Sequence, residues 1–267
     1  MSASESRKTS DTQRPREGVH TAGPADDNNI VRLIKPVLIS DEAPGPIDES
    51  IVSADFYNRF TYSLLSKGSS GVNLTVGITS ANVGEGKTVV ASNLAVSLAV
   101  ANRRNTVLVD LSILNPRIHS VFGTPRSPGL LEAIDGQPIR VFSTRIDHLH
   151  ILPAGAMGRA MLGVTPPNPE EAAIYNNELP SLGLDKVVVF RDIIYSLREN
   201  FEFVIIDMPV LEEPRVPLIL THQMDGLFVV IDATRTKHRD VEKMFRHLNS
   251  NQVLGFVFNR SSEENHE

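Results

Sequence analysis

Eight consecutive residues carry the clearest chemistry in the chain: Ala81, Asn82, Val83, Gly84, Glu85, Gly86, Lys87 and Thr88. They follow the pattern of a phosphate-binding loop, a glycine and four variable residues before Gly-Lys-Thr, except that Ala81 stands at the first glycine position. Glycines let successive backbone N–H groups turn toward an anion. A helix starting at such a loop adds positive potential where β- and γ-phosphates would lie. Lys87 supplies a compact charge to those phosphates, and Thr88 offers a hydroxyl to Mg²⁺. The eight residues are therefore expected to bind ATP with Mg²⁺.

A metal-bound phosphate also calls for carboxylates at the ends of neighbouring strands. Asp110 closes the run from Val107, and Asp207 closes the run from Phe203. Both are expected to serve Mg²⁺ and, with Lys87, catalysis; the alternative for each is a carboxylate that caps a following turn or helix. Other polar residues read as structural. His119, His148 and His150 lack a spacing that gathers a metal with nearby acids. Arg103 and Arg104 read as caps at the C-terminal end of the helix after the loop. Glu212 and Glu213 read as solvent-facing.

These groups must be positioned by a sheet. Apolar runs at 74–79, 106–109, 149–152, 203–206, 227–231 and 253–258 have strand length and are apolar on consecutive positions, as strands covered on both faces are. They alternate with helices predicted over 86–101, 185–199 and 237–249, which gives an α/β fold with a doubly wound, mostly parallel sheet. In the first helix Val90, Leu94, Leu98 and Ala101 fall on one stripe. A further amphipathic helix, with Phe56, Phe60 and Leu64 four residues apart, is expected over 53–65.

The domain is placed at 51–262, between a flexible N-terminal tail over 1–50 and a short C-terminal tail over 263–267. Within the first tail, 30–39 reads as a short strand or clip folded back on the domain, or else as a docking segment for a partner. The polar stretch 155–183, with Pro166, Pro167 and Pro169, reads as a mobile loop.

The bulk of the sequence narrows the function classes. Its 267 residues, 41% hydrophobic and 22% charged, suit one globular domain with a conventional core. A net charge of -6 disfavours broad binding to nucleic acid. The absence of cysteine removes disulfides, thiolate metal sites and thiol nucleophiles and fits the cytoplasm. No window reaches the roughly 20 apolar residues of a spanning helix, and Met1 to Arg16 lack the apolar centre of a secretory signal.

The order of motifs resembles the bacterial tyrosine kinases of capsule and exopolysaccharide synthesis. The segments that carry the likeness run from Thr79-Ser80 through Lys87-Thr88, then Asn93-Leu94-Ala95, Val107 to Asp110, Pro116 to Gly123, Leu152 to Gly155, Ile205 to Asp207 and Gly255 to Arg260. Those kinases are related to the partitioning ATPases of the MinD/ParA type. These carry a signature lysine at the second loop position, where this chain has Asn82.

The resemblance implies a P-loop NTPase fold and assigns Lys87 and Thr88 to ATP and Mg²⁺, Asp110 to the first acid of Walker A′, Asp207 to Walker B and Asn259 to the adenine. It also implies a cytoplasmic protein that works with a membrane-embedded polysaccharide co-polymerase or activator, which could recruit it to the inner face of the membrane. Self-association is compatible with the family.

The departures are specific. Walker A′ normally holds two acids one residue apart, and here Ser112 takes the second place. Residues 261–267 hold no tyrosine cluster, and the four tyrosines are Tyr57, Tyr62, Tyr175 and Tyr195, of which Tyr175 is the best acceptor. The ring-forming pattern of a glutamate and two arginines is kept only roughly, at Asp55. Three functions follow: an ATP-dependent protein-tyrosine kinase, a nucleotide-gated regulator of polysaccharide synthesis, or an ATPase switch of the partitioning kind.

Overall fold

The structure is a computed structural model that describes residues 34–40, 42–52, 61, 64–65, 73–156, 184–210, 218–246 and 248–261. The helix predicted over 53–65 falls mostly outside the described residues. So do Tyr57, Tyr62, Tyr175, Glu212, Glu213, most of 155–183, and the tails at 1–33 and 263–267.

Three strands bury every residue: β2 (Leu74–Ser80), β3 (Thr106–Asp110) and β6 (Phe203–Asp207). Such strands must be covered on both faces, which is why their sequences are apolar without alternation. With β1 (Val37–Ser40), β4 (Ile139–Ser143), β5 (Leu149–Leu152), β7 (Gly226–Asp232) and β8 (Val253–Asn259) they form one sheet, in the order β1-β4-β5-β3-β6-β2-β7-β8. All pairings are parallel except β4 with β5. Parallel pairing sends the C-terminal ends of β2, β3, β6, β7 and β8 to one rim, where ligands bind in open α/β sheets.

One face of the sheet packs on the helix Lys87–Val100. Leu94 and Leu98 meet Leu108, Ile205 and Phe122 there. This helix is buried from Val90 through Ala99 on every side, not along the single stripe that its leucines suggest. Small residues, Ala91, Ser92, Ala95, Ser97 and Ala99, let neighbours approach it all round. The other face packs on the helix Leu184–Arg198 through Phe190, Ile193 and Leu197, against Val107, Val204 and Ile206. Each such buried apolar side chain contributes about 1.5–3 kcal/mol.

Three local expectations are revised. The last long helix is shorter than 237–249: it runs His238–Phe245, and a separate 3₁₀ turn at Ser250–Gln252 is capped by the Asn249 side chain, which accepts from Asn251 N. The carbonyl end of the Lys87–Val100 helix is met by backbone, with Arg104 N donating to Leu98 O at 3.0 Å, while the Arg104 guanidinium pairs with Glu202 at 2.7 Å. The tail predicted over 1–50 is structured from residue 34 onward. Its 37–40 segment is the edge strand β1 on β4, in keeping with the clip reading of 30–39.

Beyond β1 the chain stays on the domain. Gly45 N donates to Gly123 O and Asp48 N to Val121 O, at 2.7 and 2.8 Å, and before the strand Lys35 Nζ donates to Ala133 O at 2.8 Å. The buried Asn93 amide donates to Ile51 O at 2.7 Å and to Val89 O at 2.8 Å, fastening this strap to the central helix.

Candidate functional site

The loop between β2 and the Lys87–Val100 helix has the backbone shape its glycines suggest. Gly84 and Gly86 hold φ of 83° and 97°, in the left-handed region that a side chain disfavours. Gly86 has a second constraint, since a Cβ there would come within 2.2 Å of Asn259 Nδ2. Helical turns start at Lys87, so the first N–H groups of a fourteen-residue helix open onto the loop.

The polar side chains of the loop are already organised. Lys87 Nζ donates to Ser80 Oγ at 3.0 Å, and Ser80 Oγ donates to Asn82 O at 2.7 Å. Glu85 turns inward and is 3% exposed. Its carboxylate accepts from Asn82 N and Asn82 Nδ2, both at 3.0 Å, and from the Thr236 hydroxyl. Val83 points out at 81% exposure, as a loop tip does.

Thr88 Oγ1 donates to Asp207 Oδ2 at 2.6 Å, bringing the first turn of the helix onto the end of β6. Asp207 Oδ1 is buried and meets no donor. Asp110 lies beside it in the parallel register of β3 and β6. Burial raises the Asp207 carboxyl to about 7, with the Asp110 charge adding to the rise and the Thr88 hydroxyl and Lys87 opposing it.

Burial likewise lifts Asp110 to about 6, although the Ile118, Ser112 and Arg117 N–H groups pull the other way. Asp110 Oδ2 accepts from Arg117 N and Ile118 N at 3.1 Å each, and Oδ1 from Ser112 N at 3.0 Å. Asp110 therefore does cap the turn that follows it, while Oδ1 keeps a second lone pair for the site.

Asp207 Oδ1 supplies the test of whether Mg²⁺ suits these residues. An ionised carboxylate oxygen buried without a donor is costly, and a hard cation or its bound water resolves that cost. Beside it sit a threonine hydroxyl and a second carboxylate, an all-oxygen set. The donor set fits Mg²⁺.

Asn259, at the end of β8, donates from Nδ2 to Glu85 O at 2.9 Å, so it lies against the loop. Asp232 stands next to it in the β7–β8 register and pairs with Arg260. The Thr234 hydroxyl, aided by Arg260, holds the Asp232 carboxyl down to about 2. Ser80, Asp232, Thr236 and Arg260 are the members of the constellation that the sequence reading passes over. Each stands at or just past a strand's C-terminal end, a rim position that does not by itself single them out before the strands are paired.

The segment that leads from β5 is also tied down. Leu130 N and Leu131 N donate to Pro153 O and Ala154 O at 2.8 and 3.0 Å, and Glu132 accepts from Gly129 N and Ala156 N at 2.7 and 3.0 Å. Tyr195 is partly buried on the helix Leu184–Arg198. His150 places its ring 5.3 Å from Phe201, a packing role.

Comparison with family models finds no match. Comparison with individual proteins finds several. The tyrosine-protein kinase CpsD of Streptococcus agalactiae serotype Ia is 26% identical over 215 residues, covering 78% of this chain and 83% of its own. CpsD of Streptococcus pneumoniae serotype 4 is 28% identical over 191 residues, 69% of this chain and 75% of its own. Among solved structures, the kinase domain of VpsO superposes with a TM-score of 0.58 at 26% identity, covering 77% of this chain and 93% of that domain.

The chain is a homologue of the bacterial tyrosine kinases. The chimeric protein CapA2B2, with a TM-score of 0.61 at 22% identity over 86% of this chain and 95% of its own, shares the fold. Within this tyrosine-kinase relationship the structure brings Lys87, Thr88, Asp110 and Asp207 together with the loop and Asn259. It leaves Ser112 where the resemblance calls for a second acid. No helix among the described residues is long and apolar enough to cross a membrane.

Proposed function

We propose that the chain binds ATP with Mg²⁺ and transfers the γ-phosphoryl group to tyrosine, as a cytoplasmic kinase acting in, or regulating, exopolysaccharide or capsule synthesis. The observation that carries this reading is the buried Asp207 Oδ1 without a donor, beside the Thr88 hydroxyl and at the foot of the phosphate-binding loop.

The loop residues 81–88 would hold the phosphates through backbone N–H groups and Lys87, and Asn259 would meet the adenine. Thr88, Asp110 and Asp207 would hold the metal, whose contribution is to neutralise charge on the β- and γ-phosphates. Asp110, at the end of β3, would accept the tyrosine proton. In the transfer, the tyrosine oxygen bonds to the γ-phosphorus, its proton passes to Asp110 and ADP leaves. The family resemblance adds a membrane-embedded polysaccharide co-polymerase as partner, recruitment by it to the inner face of the membrane, and self-association.

A second reading, a nucleotide-gated regulator with little turnover, draws support from Ser112 and from the backbone donors that occupy both oxygens of Asp110. The test is incubation of the purified protein with γ-labelled ATP and Mg²⁺, following protein-bound label and released phosphate beside a Lys87→Ala control. Label on tyrosine that the control lacks is the expected result. ATP binding without label or phosphate release would favour the regulator, and phosphate release alone an ATPase switch.

A further inference from the structure

The loop is braced from outside by the ends of β7 and β8. Thr236 Oγ1 accepts the Asp232 N–H at 3.0 Å, so its own hydrogen is free to go to Glu85 Oε1, which it contacts. Asp232 is itself fixed, accepting from Thr234 N at 2.9 Å, from the Thr234 hydroxyl at 2.6 Å and from Arg260. Glu85 is thus held by Thr236 on one side and by both Asn82 donors on the other. Its backbone oxygen then accepts Asn259 Nδ2 at 2.9 Å, while Asn259 Oδ1 accepts Arg260 N at 3.0 Å.

Those last two contacts decide which way the Asn259 amide faces. A carbonyl oxygen only accepts, so the end toward Glu85 O must be the nitrogen; a backbone N–H only donates, so the end toward Arg260 N must be the oxygen. One N–H and one lone pair of the amide remain. An amide in fixed orientation offers adenine a donor for N7 and an acceptor for the N6 amino group, whereas guanine presents acceptors at both O6 and N7. If the amide were free to take both orientations, its nitrogen could also meet O6 and the discrimination would vanish.

We infer that Glu85 and Thr236 are positioning residues that set a preference for adenine over guanine by fixing the orientation of the Asn259 amide. The inference rests on the proposed ATP site, with Asn259 at the base. Neither residue needs to touch the nucleotide. Thr236 acts on Glu85, Glu85 on Asn259, and Asn259 on the base.

Calorimetric titration of the full chain with Mg-ATP, Mg-GTP and Mg-tripolyphosphate separates base recognition from phosphate binding. The wild type should prefer ATP over GTP by about tenfold, within the range of one well-formed bidentate contact. Thr236→Val should bring that ratio to within about threefold of unity, and Thr236→Ser should restore it, with tripolyphosphate affinity unchanged in both. Should Thr236→Val fail to fold, Thr236→Ala, which also removes the hydroxyl, replaces it in the same comparison.

A Thr236→Val protein that keeps the wild-type ratio, or that loses all three ligands equally, overturns the inference and leaves the ATP site standing. A wild type that binds no nucleotide and no tripolyphosphate overturns the ATP site and the inference together. A wild type that binds ATP and GTP equally overturns the inference alone.

Discussion

Asp110 and Asp207 stand opposite each other in the register of β3 and β6, two fully buried carboxyls on adjacent strand ends. Both have folded-state values raised above the usual 3.8, to about 6 and about 7. Between those limits the folded protein holds protons that the unfolded chain has released. Metal-free stability should therefore fall as pH rises from about 4 through about 7. Thermal melts at stepped pH check this, and a Tm that is flat or climbs across the window would count against it. Asp207→Asn removes the ionising group and should raise the metal-free Tm at pH 8 by about 2–4 °C for each kcal/mol recovered, while weakening Mg-nucleotide binding by about tenfold or more.

Gly84 and Gly86 should respond differently to alanine. Both have positive φ, which costs a side chain about 1–3 kcal/mol. A Cβ at Gly84 meets nothing within 4 Å, whereas at Gly86 it meets the Asn259 amide. Gly86→Ala is expected to abolish nucleotide binding, and Gly84→Ala to weaken it by a smaller factor. Equal losses in a fluorescent-nucleotide titration would argue against the close approach of β8 to the loop.

Ser112 occupies the place of the second Walker A′ acid and donates its N–H to Asp110 Oδ1. Ser112→Asp is expected to speed phosphoryl transfer or phosphate release, since a second carboxylate adds charge where the metal is positioned. Turnover identical to wild type would show that the missing acid does not limit the reaction.

The strap at 42–52 depends on one buried amide. Asn93→Ala leaves Ile51 O without its side-chain donor and should cost about 1–3 kcal/mol in urea unfolding. It should also expose 42–52 to limited proteolysis ahead of the rest of the domain. Leu98→Ala, near the C-terminal end of the same helix, should cost about 2–5 kcal/mol without that selective cleavage.

Consecutive apolar positions made β2, β3, β5, β6 and β7 legible, because a strand buried on both faces has little room for polar alternation; β8 is as apolar in sequence but is the edge strand, with Phe256 and Phe258 exposed. β4 escaped because Arg140 and Ser143 interrupt its five residues and its pairing depends on a hairpin with β5. The loop residues and both aspartates could be named in advance, since their chemistry is local in sequence. The Thr236, Asp232 and Arg260 brace could not, because it exists only once the parallel register sets Asp232 beside Asn259. Asp110 shows the same limit from the other side: a strand-end acid that both caps a turn and faces a metal position has the same sequence in either role.

The Lys87–Val100 helix, enclosed from Val90 to Ala99, has no free side along which to slide or roll when phosphates arrive at its tip. Nucleotide occupancy would then be announced to any protein that reads it by the short connections at the rim, at Ser112 to Asn115 and around Pro209, while the body of the domain stays still.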